Sequence, residues 1–334
     1  MRLIMTRANI AIKERFGQRL RIARKLSGLS LGELSVAAGC SVTRQGLSKY
    51  ELGEMMPREA TLIEICRALA LPRDYFLADT KGFDLPELRI GSGCELSVEV
   101  MEEISTTIEF YTKRFRLKRE KLGLEDGFSC SLLKRQVSDI EEISAVADAL
   151  RAEWACGDGP IASVLRLLER HGIWVFSTSL PDAIYGLSTW VDSKFPIMLL
   201  DMREDKTSVE RLRFTAAHEL AHLLLSFPKG AKVEKMCNRF ASYFLLPQKT
   251  LVQELGSCRE ALYLEELIDL HEYYGVSIAA LVHEAYDFGI ISREHYDYWY
   301  DTNIKANPKE TGWGKYLFPE TLGKEKRMDI ILAQ

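Results

Sequence analysis

The stretch RFTAAHELAHLLL, residues 213–225, decides how the second half of this chain is read. It holds His218, Glu219 and His222 in the order H-E-x-x-H. On a helix, residues i and i+4 lie one above the other on the same face, so both imidazoles reach one ion. Glu219, beside the first histidine, is the candidate general base. It can take a proton from an activated water and return it to a leaving amine. The neighbours Ala216, Ala217, Leu220, Ala221, Leu223 and Leu224 carry no charge, as a buried helix requires. The chemistry this pattern points to is hydrolysis assisted by one catalytic Zn2+.

Catalytic zinc takes three protein ligands and keeps a fourth position open. SFPKG, residues 226–230, breaks the first helix and lets the chain return in a second, beginning near Ala231. Glu234, in its first turn, then faces the histidines, with His271 and His283 as the alternatives. Asn238, one turn further on, is placed for a hydrogen bond to an imidazole N–H. Upstream, IWVF (173–176), AIYGLSTW (183–190) and PIMLLD (196–201) read as strands. Pro160 suits the first position of a helix running from Ile161 to His171. Helical patterns follow at 207–225, 231–245, 259–273, 278–288 and 292–299, and the polar residues after Asn303 are expected to be poorly ordered.

The first 80 residues read as four or five short helices. Ile12 to Leu26 places Phe16, Leu20 and Ala23 on one face. Ser30 with Glu33 three residues on is a capping box that opens a helix ended by Gly39. The next helix starts near Thr43, passes Tyr50 and closes at Gly53. It offers Thr43, Arg44, Gln45, Ser48 and Lys49 to a nucleic acid, while Leu34, Leu47 and Tyr50 are core. Gln can bond an adenine edge and Arg a guanine, whereas Ser, Thr and Lys suit phosphates. Residues 1–78 carry 13 Lys and Arg against 7 Asp and Glu, a net of +6; the remainder, 31 against 41, is -10. That local excess suits a polyanion. A second basic run, KRFRLKREK at 113–121, reads as a solvated helical face, and Gly82, Pro86, Gly91 and Gly93 mark a linker.

The chain of 334 residues, 47% hydrophobic and 28% charged, has room for two or three domains. No run approaches the roughly 18 apolar residues of a membrane span. The opening MRLIMTRANIAIKERF does not read as a secretory leader and the seven cysteines form no C-x-x-C pair, so a cytoplasmic location without a disulfide framework is expected.

SLGELSVAAGCSVTRQGLSKYELGE, residues 30–54, resembles the lambda-repressor-like (XRE) helix-turn-helix. Ala37-Ala38-Gly39 and Glu51-Leu52-Gly53 carry the likeness, across a turn about two residues longer than the common form. RFTAAHELAHLLL followed by EKMCNRFASYFLLP (234–247) resembles the ImmA/IrrE metallo-endopeptidases, as do WACGDGPI (154–161), YGLSTW (185–190) and YGVSIAALVHEA (274–285). Cys237 stands where that family has alanine. The resemblance, over about residues 140–300, implies that His218, His222 and Glu234 are zinc ligands and Glu219 the base. It further implies a regulatory protein as substrate, such as a repressor or antitoxin.

The expected architecture is an all-α lambda-repressor-like helix-turn-helix domain (1–80), then a linker and connecting helices (81–140). An α+β zincin-like (gluzincin) peptidase domain with a small sheet (141–303) and a polar tail (304–334) complete it. The expected partners are a double-stranded DNA operator, a protein substrate and a second copy of the chain, because such motifs read two half-sites. Tyr243, His271 and His283 are the candidates for stabilising an oxyanion. The rival reading is a non-proteolytic transcription factor that uses the peptidase-like domain as a metal or peptide sensor, in a toxin–antitoxin or prophage immunity system.

Overall fold

A computed structural model describes residues 2–40, 42–77, 96–124 and 127–333. The expected linker glycines and prolines lie outside these residues. The chain divides into two units, Met1–Glu125 with Glu325–Gln334, and Asp126–Lys324.

In the first unit α1 (Arg2–Leu26) buries Phe16, Leu20 and Ala23 on one stripe. The expected capping box forms at α2 (Leu31–Ala37): Glu33 N–H donates to Ser30 Oγ at 3.2 Å, and Ser30 N–H to the Glu33 carboxylate at 2.7 Å. α3 (Arg44–Glu51), α4 (Glu59–Leu69) and α5 (Arg73–Leu77) follow, and Leu34, Leu47, Tyr50, Leu62, Ile65 and Tyr75 close one core. α6 (Val98–Lys121) joins that core through Phe110. It also holds Glu109 2.7 Å from the buried guanidinium of Arg19, which donates in addition to the Tyr75 carbonyl. A helix expected to connect domains is therefore part of the first one. The basic run on α6 departs from a solvated face, since Lys118 and Arg119 are buried and Lys113 pairs with Asp74.

The second unit starts with a two-residue strand β1 (Arg135–Gln136), α7 (Glu142–Glu153) and α8 (Val164–Arg170). α8 opens three residues later than expected. Ser163, whose Oγ accepts from Arg166 N–H, is its cap, and Pro160 lies outside. The three expected strands are present as β2 (Trp174–Ser177), β3 (Gly186–Val191) and β4 (Phe195–Leu200). Their order is β2-β4-β3, with β2 parallel and β3 antiparallel to β4. The central strand FPIMLL is buried along its whole length, which explains its continuous apolar run. β3, at the edge, packs on α9 (Val209–Leu224). α9 is capped by Ser208, ends in the short strand β5 (Leu225–Ser226) paired with β1, and lies against α10 (Val233–Leu245). α11 (Gln248–Leu255), α12 (Leu264–Tyr274), α13 (Ile278–Asp287) and α14 (Arg293–Trp299) complete the helical layer. The small sheet and surrounding helices form the expected α+β domain.

The residues after Asn303, expected to be poorly ordered, are folded. Glu310 accepts from the Ile278 and Ala279 N–H groups at the start of α13, both at 2.8 Å. Glu320 takes Val164 N–H, Leu165 N–H and the Ser163 hydroxyl at the start of α8. Its carboxylate also lies 2.5 Å from Arg213, a fully buried side chain on α9. Arg213 donates further to the carbonyls of Gly275, Ile161 and Tyr274, and Tyr316 covers its face at 4.2 Å. Polar composition suggests disorder, but these acids accept from first-turn N–H groups that the caps Ser163 and Ser277 do not take up. The last helix, α15 (Lys324–Leu332), places Glu325 and Asp329 2.6 and 2.7 Å from Lys118 of α6. Among the described residues no helix is long and apolar enough to cross a membrane.

Glu320→Gln leaves the Arg213 cation buried without its charge partner, so a loss of about 3–5 kcal/mol is expected. Urea denaturation of the full chain reads this as a lowered midpoint; an unmoved midpoint contradicts the role given to the pair.

Candidate metal centre and DNA-reading helix

His218 and His222 stand one turn apart on α9, their ring centres 4.8 Å apart. After β5 the chain turns through Pro228 and Gly230 into α10, whose N-cap residue Lys232 makes no side-chain cap. Glu234 in the first turn directs its carboxylate toward the histidines. His218 Nε2 lies 3.4 Å from Glu234 Oε2, His222 Nε2 lies 3.5 Å from Oε1, and the two Nε2 atoms are 3.1 Å apart. A tetrahedral zinc with ligands at about 2.0–2.1 Å would set its donors about 3.3 Å apart. The three separations fit that edge length, and two imidazoles with one carboxylate are a donor set suited to zinc. Among the described residues these three are the group of metal-binding type that converges in this way.

The surroundings set the state of each group. Asn238 Oδ1 accepts from His218 Nδ1 at 2.8 Å, which puts the ring proton on Nδ1 and leaves the Nε2 lone pair facing the centre. Burial works against a charged His218, but the Glu234 hydrogen bond and the charges of Glu219 and Glu234 outweigh it and raise its pKa. A pocket that favours a proton on imidazole in this way favours a divalent cation in the same place. Glu219 is nine-tenths buried, and Ser188 Oγ on β3 stands 2.7 Å from its Oε2. Cys237, fully buried on α10, has its thiol pKa pushed up by burial and by the charges of Glu234 and Glu219. The group of metal-binding type that converges among the described residues does not include it.

The alternative ligands lie in other environments. His271 is buried with Nδ1 3.0 Å from the Val276 carbonyl and Nε2 3.8 Å from Glu210. His283 sits beside Glu284 and Asp287. Tyr243, a candidate for the oxyanion and not for the metal, stacks on Phe288 under the guanidinium of Arg239. The structure thus brings His218 and His222 of α9 together with Glu234 and Asn238 of α10, and Glu219 lies on α9 beside His218. Sequence reasoning missed Ser188. Its signal was there in principle: a polar residue of YGLSTW with the side-chain phase of a strand face that turns inward.

In the first unit Thr43 is the N-cap of α3, its Oγ1 accepting from Gly46 N–H at 3.1 Å. Arg44, Gln45 and Lys49 are exposed and Ser48 half-buried on the helix behind that cap, while Leu34, Leu47 and Tyr50 are buried. Glu51 accepts from Arg24 of α1 through both oxygens, at 2.6 and 2.9 Å, so its role is to fix α3 on the domain. Gly53 has φ +70°, and a Cβ there would meet the Glu14 backbone at 3.1 Å. Conformation and space both call for glycine.

A family model described as an IrrE N-terminal-like domain, of the peptidase M78 family, matches residues 168–286, and a helix-turn-helix model matches residues 20–76. The chain is 36% identical over 74 residues to the SPbeta prophage-derived uncharacterized HTH-type transcriptional regulator YonR of Bacillus subtilis (strain 168). That match covers 22% of this chain and 67% of the relative. The two matched ranges fall on the two units, the first on the fold that carries the metal-type cluster and the second on the one that carries α3.

His222→Ala is expected to reduce bound zinc to background, and Asn238→Ala to weaken zinc about 10–100-fold by freeing the ring of His218. Competition against a chromophoric chelator measures both. Stoichiometric zinc retained by His222→Ala would move the site elsewhere.

Proposed function

This chain belongs to the helix-turn-helix regulators that carry an IrrE N-terminal-like peptidase domain, and from that premise we propose a DNA-bound, zinc-dependent endopeptidase of regulatory proteins. The observation that carries the reading is the triangle of His218, His222 and Glu234 at zinc-like spacing, next to the buried carboxylate of Glu219. Zinc, when bound, supplies Lewis acidity that polarises a scissile carbonyl and makes water acidic. His218, His222 and Glu234 would hold it, and Asn238, accepting from Nδ1, keeps His218 in the tautomer that turns the Nε2 lone pair to the centre. Glu219 accepts the proton of the attacking water and passes it to the departing amine nitrogen.

The proposed substrate is a repressor or antitoxin, cleaved by a cytoplasmic homodimer whose α3 helices each read half of an operator. Arg44 and Gln45 at the start of α3 are the proposed base-reading pair. Thr43, Ser48 and Lys49 are assigned to phosphates, Thr43 through the hydroxyl that also caps the helix. A metal or peptide sensor without hydrolysis would have no use for a base. Glu219 buried and hydrogen-bonded on the ligand helix therefore favours hydrolysis over the sensor.

Zinc-loaded wild type incubated with lysate of its own host is expected to yield a protein fragment that Glu219→Gln does not. Identical patterns would favour the sensor. For the other half, Arg44→Ala with Gln45→Ala should cost about 1–3 kcal/mol per lost base contact on the operator, and far less on random duplex. Gel-shift titrations of both DNAs measure this, and equal losses would mean these side chains touch phosphate alone.

A further inference from the structure

β3 and α9 run side by side with matched steps. Gly186, Ser188 and Trp190 share one side-chain phase of the strand, and each meets a residue of α9 one turn beyond the last. A Cβ on Gly186 would stand 2.6 Å from Thr215 Cγ2. Ser188 Oγ lies 2.7 Å from Glu219 Oε2 and 3.1 Å from the Glu219 carbonyl. Trp190 Nε1 donates to the Leu223 carbonyl at 3.2 Å. Two strand residues advance about 6.4–6.8 Å, and four helix residues about 6.0 Å, so the seam stays in register over its short length. Its hydroxyl-bearing member falls on Glu219.

We propose that Ser188 is a positioning residue for Glu219; this rests on the reading of Glu219 as the base. A serine has one hydroxyl hydrogen. The closer acceptor is Oε2, and a bond to an ionised acceptor is the stronger one. With that oxygen engaged, the carboxylate is held in one rotamer and Oε1 is left to receive the proton of the attacking water. Both side chains are nine-tenths buried, so water does not readily replace the hydroxyl if it is removed. The strand thus sets the aim of a group on the helix, which helix propensity and the ligand histidines do not do.

The test uses the zinc-loaded full chain and acetohydroxamate, a small metal-binding acid whose hydroxyl proton is taken up by a neighbouring base. Zinc affinity, acetohydroxamate affinity and melting temperature are measured together. Glu219→Gln is expected to weaken acetohydroxamate, and Ser188→Ala to weaken it about tenfold, the size of one hydrogen bond to a charged group. Zinc affinity should stay within about twofold of wild type in Ser188→Ala, since no ligand is touched. Ser188→Thr, which keeps the donor, should recover most of the loss, and Trp190→Phe, which cuts the seam elsewhere, should bind the probe like wild type. Wild-type probe affinity in Ser188→Ala beside a weakened Glu219→Gln overturns the proposal. So does an equal loss in Trp190→Phe, or no recovery in a Ser188→Thr of unchanged melting temperature. A Glu219→Gln that binds like wild type strikes the base assignment itself, and takes the role of Ser188 with it.

Discussion

Everything at the candidate metal centre depends on His218, His222 and Glu234 holding three donor atoms about one tetrahedral edge apart. His218, His222 and Glu234 come from two helices, so their convergence depends on how α9 and α10 pack. The apolar side of α9 supplies most of that fixity, with Ala216, Ala217, Leu220, Ala221 and Leu224 fully buried. Small residues let α10 and β3 approach closely, and each buried leucine contributes about 1.5–3 kcal/mol. At the N-terminal end of the helix the Arg213–Glu320 pair adds a fixed point. A segment more than a hundred residues later in the chain therefore steadies the helix that carries the histidines.

The parts written in local chemistry were legible. H-E-x-x-H needs the helical repeat, the Ser30–Glu33 box needs three residues of separation, and the strands announced themselves as short apolar runs. Glu234 could be reached because one short loop separates its helix from α9. Contacts set by tertiary packing could not be read in the same way. Two local start signals compete at α8, Pro160 and the cap Ser163, and Glu320, far off in sequence, favours Ser163 by accepting from its hydroxyl and from Val164 and Leu165 N–H. The polar residues after Asn303 looked like a tail, since composition does not say that an acid will cap a distant helix. α6 looked like a connector because the Arg19–Glu109 pair that anchors it spans ninety positions. Ser188 shows in the sequence as a polar residue in an apolar strand, but its partner Glu219, 31 positions on and across the strand–helix seam, does not.

The DNA-reading unit is built with a similar division between fixed and free groups. Arg24, Glu51, Arg19 and Glu109 spend their charges inside the unit, holding α1, α3 and α6 in place. Arg44, Gln45 and Lys49 are exposed along α3. A rigid scaffold with exposed polar side chains along one short helix is the arrangement that major-groove reading needs. The basic residues of α6 belong largely to the first class, with Lys118 tied to Glu325 and Asp329.

X-ray absorption at the zinc edge of the metal-loaded chain reads the ligand set of the His218–His222–Glu234 centre without intermediaries. Two imidazole nitrogens at about 2.0–2.1 Å with the remaining scatterers oxygen is the predicted shell. A sulfur scatterer near about 2.3 Å, which would bring Cys237 or another thiol to the ion, or a single imidazole, would contradict it.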